Sequence, residues 1–233
     1  MRYYPVFLDI RGKPCAVIGG GSVAERKVRS LVNAGASVSV IAPEVTSGIG
    51  SLAQKGLVKI LKKPFKAGDL KGFFLVVSAA GSREANQKVC KDAQEFRVLK
   101  NIVDEPQACD FIVPSVVQRR DLSIAISTAG RFPKLSKKIR LELEKAYGGE
   151  YGVFLKILGA IRDALLKDAA KYGKKEKIFN ELLCSPIMGW LRHKQYERID
   201  AFLKESLGIG YTLKNLGLTI NRPRKNHGLP NKG

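Results

Sequence analysis

The apolar positions of the chain run in short unbroken stretches separated by helical patterns, and this alternation lasts for about half its length. Residues 15–18 are continuously apolar, as a strand buried on both faces should be. Gly19-Gly-Gly21 breaks that run, and a helical pattern opens at Ser22, with Glu25 at the spacing of a capping box. Ala34-Gly-Ala36 predicts the helix stop, and residues 37–42 form a second strand. Residues 46–55 read as a helix with Ile49, Leu52 and Ala53 on one face, and residues 58–61 as a third strand. Residues 73–78 are again continuously apolar and end in the small residues Ala79-Ala-Gly81. Residues 83–96 predict a helix with Ala85, Val89 and Ala93 turned inward, and residues 98–103 a fifth strand that closes on Asp104. Strands and helices alternating to about residue 112 predict an α/β fold with a doubly wound parallel sheet. The apolar stretch 4–10 ahead of it is expected to be a packed N-terminal arm.

The rhythm then changes. Residues 110–117 read as extended, Arg119-Arg-Asp121 as a turn, and residues 122–127 alternate with period two, so an antiparallel hairpin is expected. Residues 134–147 form a basic helix with Leu135, Ile139, Leu143 and Ala146 at helical spacing. From Glu150 onward the pattern is helical, with Phe154, Ile157, Leu158, Ile161 and Leu165 on one face and shorter faces at 178–183, 187–191 and 199–207. The chain divides accordingly into a nucleotide domain at 1–112, a segment at 113–147, a helical domain at 148–220 and a polar tail at 221–233 whose composition predicts disorder.

The glycine turn carries the first chemistry. Gly19-x-Gly21-x-x-Ala24 has the spacing of the dinucleotide fingerprint, and with the flanking strands it completes a βαβ unit of Rossmann type. The first glycine permits the turn, the second bares the backbone for a pyrophosphate, and Ala24 lets the helix lie against the strand. The helix start offers free N–H groups and the positive end of its dipole. A lone glycine pattern is a weak signal; the surrounding strands raise it to a prediction of cofactor binding. The acidic residue expected at the second strand end is missing, because that strand closes on Ile41-Ala-Pro43 with Glu44 one place later. Ribose contacts therefore fall to backbone at Ala42 and Pro43 or to Glu44. No arginine stands there for a 2′-phosphate, so the cofactor expected is NAD. Ala79, small and at a carboxyl strand end, leaves it room.

Composition narrows the rest. A hydrophobic content of 45% in 233 residues supports a sizeable core. No apolar run reaches membrane-spanning length, and Met1-Arg-Tyr-Tyr-Pro5 is not a signal peptide. Four scattered cysteines and two histidines predict neither a zinc site nor a disulfide framework, so no metal residues are assigned and a cytoplasmic location is expected. Cys15 and Cys109 read as small core residues, and His193 as a surface or core residue of the distal helices. A net charge of +20 fits either solubility or a polyanionic small molecule held in a basic cleft. No nucleic-acid motif with interleaved aromatics accompanies it. Asp104, at a carboxyl strand end, can accept a proton as hydride leaves for a nicotinamide; it can equally be a turn or capping aspartate.

Residues 5 to about 145 resemble the precorrin-2 dehydrogenase family, the module that also forms the N-terminal part of siroheme synthases. The resemblance is carried by Pro5-Val-Phe-Leu8, Val17-Ile-Gly-Gly-Gly-Ser-Val-Ala-Glu-Arg-Lys27, Ala34-Gly-Ala36, Asn101-Ile-Val-Asp104, Phe111-Ile-Val-Pro-Ser115 and Ile124-Ala-Ile-Ser-Thr-Ala-Gly130. It implies NAD-dependent oxidation of precorrin-2 to sirohydrochlorin, with Asp104 as catalytic residue. Cofactor contacts then fall at Ser22, Val23, Pro43 and Glu44, beside Gly19, Gly21, Ala42 and Ala79. It also implies a homodimer formed through 113–147. Candidate substrate contacts are Asn101, Ser127, Thr128 and Arg131. For the carboxylates of a tetrapyrrole, Arg119, Arg120, Arg131, Lys134 and Lys137 are the available cations. Arg131 and Phe132 are bulky where many relatives carry a second glycine and a small residue, which reshapes the pocket. No uroporphyrinogen methyltransferase domain is read in this sequence, so methylation is not expected of it. Some relatives also insert ferrous iron, which is the alternative reading; a non-catalytic NAD sensor is a more distant one.

Overall fold

The computed structural model describes residues 3–167, 173 and 175–218. The chain forms two compact units, one of Met1–Val113 with Thr128–Phe132, the other of Pro114–Ser127 with Pro133–Gly233.

The first unit is a five-stranded sheet in the order β3-β2-β1-β4-β5. The strands are β1 (Pro14–Ile18), β2 (Ser37–Ile41), β3 (Val58–Leu61), β4 (Leu75–Ser78) and β5 (Leu99–Ile102). Every pairing is parallel, with Ile18 level with Ile41 on one side and Ser78 on the other. Period-two alternation explains the unbroken apolar runs. Cys15, Val17, Val38, Val40, Leu75 and Val77 pack with α1 (Ser22–Asn33) and α2 (Ser47–Gln54). Ala16, Ile18, Ile41 and Val76 point the other way, toward Val89 and Ala93 of α3 (Arg83–Glu95). Both faces are covered, as a parallel sheet requires. The chain winds outward from β1 to β3, then returns to β4 on the other side of β1, so the strand order reverses between β1 and β4. Crevices for ligands open at such a point, outside the carboxyl ends of the strands.

Several boundaries differ from expectation. The helix α1 is capped by Gly21 without a side-chain bond, so Ser22 is its first residue and the capping box does not form. Glu25 is drawn elsewhere: its carboxylate accepts the Thr46 hydroxyl at 2.6 Å and the Arg29 guanidinium at 2.7 and 2.9 Å. The strand predicted from residue 73 begins at Leu75, because Phe73 N–H turns back to the Leu70 carbonyl after left-handed Gly72. Residues 4–9 are not packed; Tyr4 and Phe7 are 86% and 74% exposed, and burial begins at Ile10.

The second unit holds a two-stranded antiparallel hairpin, β6 (Ser115–Arg119) and β7 (Leu122–Ile126), turned through left-handed Arg120. Among the described residues the helices that follow are α4 (Pro133–Ala146), α5 (Gly149–Leu165), α6 (Lys175–Cys184), α7 (Ile187–Arg192) and α8 (Tyr196–Leu207). Phe154, Ile157, Ile161 and Leu165 of α5 form a core with Leu182, Ile187, Leu191, Ile199 and Leu203. Arg192 pairs with Glu150 at 2.8 Å and ties α7 to the start of α5. The exposed His193 lies on the surface at the end of α7, its Nδ1 2.9 Å from the Gly189 carbonyl. The tail at 221–233 lies outside the described residues.

Candidate functional site

Three segments of the first unit meet the crevice: the glycine turn after β1, the loop after β2 and the small residues after β4. Gly19 is left-handed at φ +112, and a Cβ there would stand 2.5 Å from the Ala79 carbonyl oxygen. Gly20 lies directly against the Glu44 backbone, so any side chain would collide with a carbonyl that cannot yield. Gly21 is the opposite case, with nothing within 4 Å of the position its Cβ would take. The turn therefore packs its first two glycines on protein and leaves the third bare toward solvent, at the start of α1. The first intrahelical bond is Glu25 N–H to the Gly21 carbonyl, so the N–H groups of Ser22, Val23 and Ala24 have no acceptor within the helix. Open space, bare backbone and a helix start fit a dinucleotide diphosphate. Ser22 is exposed and Val23 half-buried at this opening.

The second segment is bolted to the first. Thr46 N–H donates to the Gly20 carbonyl at 2.9 Å, and the Thr46 side chain caps α2 by accepting from Ile49 N–H. Its hydroxyl proton goes to Glu25. That bond, and then the Arg29 guanidinium, hold the Glu25 carboxyl below its ordinary value. The run Ala42-Pro43-Glu44 between β2 and this clamp has Ala42 buried and Pro43 and Glu44 exposed. Ala79 N–H continues the β4 ladder to the Ile18 carbonyl at 2.8 Å, which sets it beside the glycine turn.

Asp104 does not close β5. The strand ends at Ile102, and Asp104 sits in a turn beyond it with φ +63, where Glu105 N–H returns to the Ile102 carbonyl at 3.3 Å. Aspartate is among the few side chains at ease in the left-handed region. Asp104 is exposed and makes no hydrogen bond or ion pair among the described residues. It lines a polar recess of about 450 Å³ with Ala80, Gly81, Ser82, Arg83, Asn86, Val103 and Glu105. The recess thus joins the small residues after β4 to the acid after β5. Lys27, half-buried on α1, also feels Asp104: burial, then Arg26, pushes its amine below the usual lysine value, while Cys109 and Asp104 oppose that shift.

The other candidates divide. Asn101 is 8% exposed, and its amide donates to the Phe111 carbonyl at 2.9 Å, so it braces the loop after β5. Cys109 is half-buried, and its sulfur meets Ile102 N–H at 3.2 Å and the Glu105 carbonyl at 3.4 Å from behind the same turn. Burial pushes the Cys15 thiol up to about 11. Thr128 accepts Phe132 N–H with its hydroxyl, and Arg131 N–H bonds the Thr128 carbonyl through left-handed Ala129 and Gly130. Ser127 follows β7 in the other unit and is exposed, as is Arg131.

Among the basic candidates Arg119 is already committed. Its guanidinium donates to the carbonyls of Tyr147 at 2.7 Å, Gln118 at 2.9 Å and Glu144 at 3.0 Å, closing the carbonyl end of α4. Lys134 and Lys137 are exposed. Sequence reasoning missed Gly20, Asn86, Glu105 and Lys27. Gly20 occupies a silent position of the fingerprint, and the buried polar pair could be suspected only from Ser78 ending an otherwise apolar strand.

Residues 6–115 match the NAD(P)-binding family NAD_binding_7. Siroheme synthase 3 of Aeromonas hydrophila is 35% identical over 189 residues, which is 81% of this chain and 40% of that protein. The siroheme synthase of Methylococcus capsulatus is 37% identical over 163 residues, 70% of this chain and 34% of that protein. The chain thus spans about two-fifths of the length of the curated relatives it matches. Among solved structures, SirC, precorrin-2 dehydrogenase, superposes with a TM-score of 0.74 at 26% identity, covering 88% of this chain and 98% of that one. Sequence, fold and the open glycine turn agree: the chain is similar to siroheme synthases over part of their length and to a precorrin-2 dehydrogenase over nearly all of it, and its cofactor is NAD.

Proposed function

We propose that this chain oxidises precorrin-2 to sirohydrochlorin. The observation that carries the proposal is the recess in which Asp104, unpaired and exposed, faces the small residues beside the cofactor turn. NAD, when bound, supplies the hydride acceptor. The chain supplies the rest. Gly19 and Gly20 shape the bend, Gly21, Ser22 and Val23 present backbone to the diphosphate, and Ala42, Pro43, Glu44 and Ala79 surround the remainder. The Asp104 carboxylate takes the proton that leaves the substrate as its hydride departs, so the two hydrogens lost are accounted for. Arg120, Arg131, Lys134 and Lys137 provide charge for a polycarboxylate. Asn101 and Thr128 act through loop geometry.

Two further readings accompany the reaction. The helix α4 keeps large apolar side chains in solvent: Leu135 and Leu141 are 44% and 45% exposed, and Ser136 is its one buried residue. A second copy of the chain is the partner proposed for it, giving a homodimer, and Leu141→Asp should shift sedimentation to the monomer. Four free cysteines fit a reducing cytoplasm. No helix among the described residues is long and apolar enough to cross a membrane.

The test is conversion of precorrin-2 with NAD, followed by absorbance, in the native chain and in Asp104→Asn. The variant should lose about 10²–10⁴-fold in kcat, the range of a positioned general base, with NAD affinity unchanged. Unaltered turnover removes Asp104 from the reaction. No turnover by either protein, with NAD bound by both, favours a sensor over an enzyme.

A further inference from the structure

Behind the recess lies a buried polar chain that the reaction as described does not use. Ser78 closes β4 and is fully buried, and its hydroxyl donates to Asn86 Oδ1 at 2.8 Å. Asn86, 6% exposed on the first turns of α3, donates from Nδ2 to Glu105 Oε1 at 2.8 Å. The polarity of this chain is fixed by charge: a carboxylate accepts only, so Asn86 must turn its amide to Glu105 and receive Ser78 on its oxygen. A buried amide satisfied at both ends against two different segments is costly to disturb.

What the chain grips is the turn that presents Asp104. Asp104 has no hydrogen bond of its own, so its left-handed conformation depends on its neighbours. Glu105 is the neighbour held twice, through its carbonyl by Ala108 N–H at 3.0 Å and Cys109 Sγ at 3.4 Å, and through its side chain by Asn86. Asn86 and Glu105 also line the recess beside Asp104. We infer that Asn86 is a positioning residue: by clamping Glu105 to the end of β4 it fixes the turn that aims the Asp104 carboxylate into the recess. The inference rests on the reading of Asp104 as the base.

The experiment reverses the clamp. In Asn86→Asp two carboxylates face each other, and kcat of the full chain with precorrin-2 and NAD should fall at least about tenfold, as small misplacements of a catalytic group do. The double variant Asn86→Asp with Glu105→Gln restores a donor and an acceptor with polarity exchanged, and Ser78 still donates. Its kcat should return to within about threefold of the native value. NAD affinity should be unmoved throughout, since the glycine turn is untouched. Glu105→Ala, in a turn rather than on a packed helix, serves if Asn86→Asp does not fold, and should show the same kcat loss at constant NAD affinity. Native kcat in Asn86→Asp or in Glu105→Ala overturns the inference, as does a folded double variant no faster than the single one. If Asp104→Asn is inactive while Asn86→Asp is not impaired, this inference alone fails. If Asp104→Asn turns over normally, the reading of Asp104 fails and this inference with it.

Discussion

Two turns leave the carboxyl edge of the same sheet, and they solve opposite problems. The turn after β1 goes left-handed at Gly19 and leaves nothing within 4 Å of the place a Gly21 side chain would take at the start of α1. The turn after β5 goes left-handed at Asp104 and puts a carboxylate into the recess. A diphosphate needs bare N–H groups, so glycine is enough and nearby carbonyls enforce it. The proton acceptor proposed for the second turn needs a side chain, so under that proposal the left-handed residue cannot be glycine, and the turn around it is held by Cys109 and Glu105. The lesson is that the first turn is specified by its own residues and the second by its neighbours.

The comparison can be broken at either turn. The largest effect is expected from Gly20→Ala, where the new methyl meets the Glu44 backbone. Folding and NAD binding should fail together, seen as loss of the thermal transition and of cofactor titration. Gly21→Ala has room in the free protein, so its Tm should match the native chain while NAD affinity falls about ten- to a hundredfold, as when charged hydrogen bonds are lost. Asp104→Gly should do the reverse, keeping Tm and NAD affinity and losing turnover. Were Asp104→Gly to unfold the chain, the acid would be structural and the contrast would fall.

A smaller effect tests the clamp between Gly20 and Thr46. The Glu25 carboxyl is held below its ordinary value, chiefly by Thr46 and then by Arg29. A depressed carboxyl stabilises the fold above its unfolded value, and that contribution is lost as pH falls through the folded value. Below about pH 4.3 the native chain should therefore lose Tm faster than Glu25→Gln; parallel curves would show that the clamp bears no weight. The smallest effect separates two kinds of cation. Lys134→Ala should raise KM about two- to threefold at low salt and leave Tm unchanged. Arg119→Ala, which opens the end of α4, should lower Tm by several degrees, the loss that Lys134→Ala does not show.

The first unit was legible because each strand is short, apolar and punctuated by glycine or by small residues. Errors gathered where burial comes from turns rather than from the sheet. The apolar runs outlast the strands: Phe73 turns away from the sheet, while Phe74 and Val103 add single bonds to the Pro14 and Ser78 carbonyls, at 2.8 and 2.9 Å, beyond the ends of β4 and β5. The capping box failed because Gly21 caps the helix, leaving Glu25 free to reach Thr46, 21 residues away. Arg119 read as a substrate cation because its acceptors, Glu144 and Tyr147, lie 25 and 28 positions on. Asn86 was invisible for a related reason: on a helix rich in polar residues, nothing local marks Asn86 and Asp92 as the two that turn inward. The face expected on α4 divides, with Ile139 and Leu143 half-buried and Leu135 and Ala146 exposed, because periodicity places residues on a face without saying what covers it.

The commitment of Arg119 changes what the formal charge of +20 means to an incoming polyanion. An arginine whose donors are spent on main-chain oxygens still contributes to the long-range field that accelerates encounter, yet offers no grip once the ligand arrives. Attraction and retention are thus assigned to different residues, and a census of cations overstates the second while describing the first.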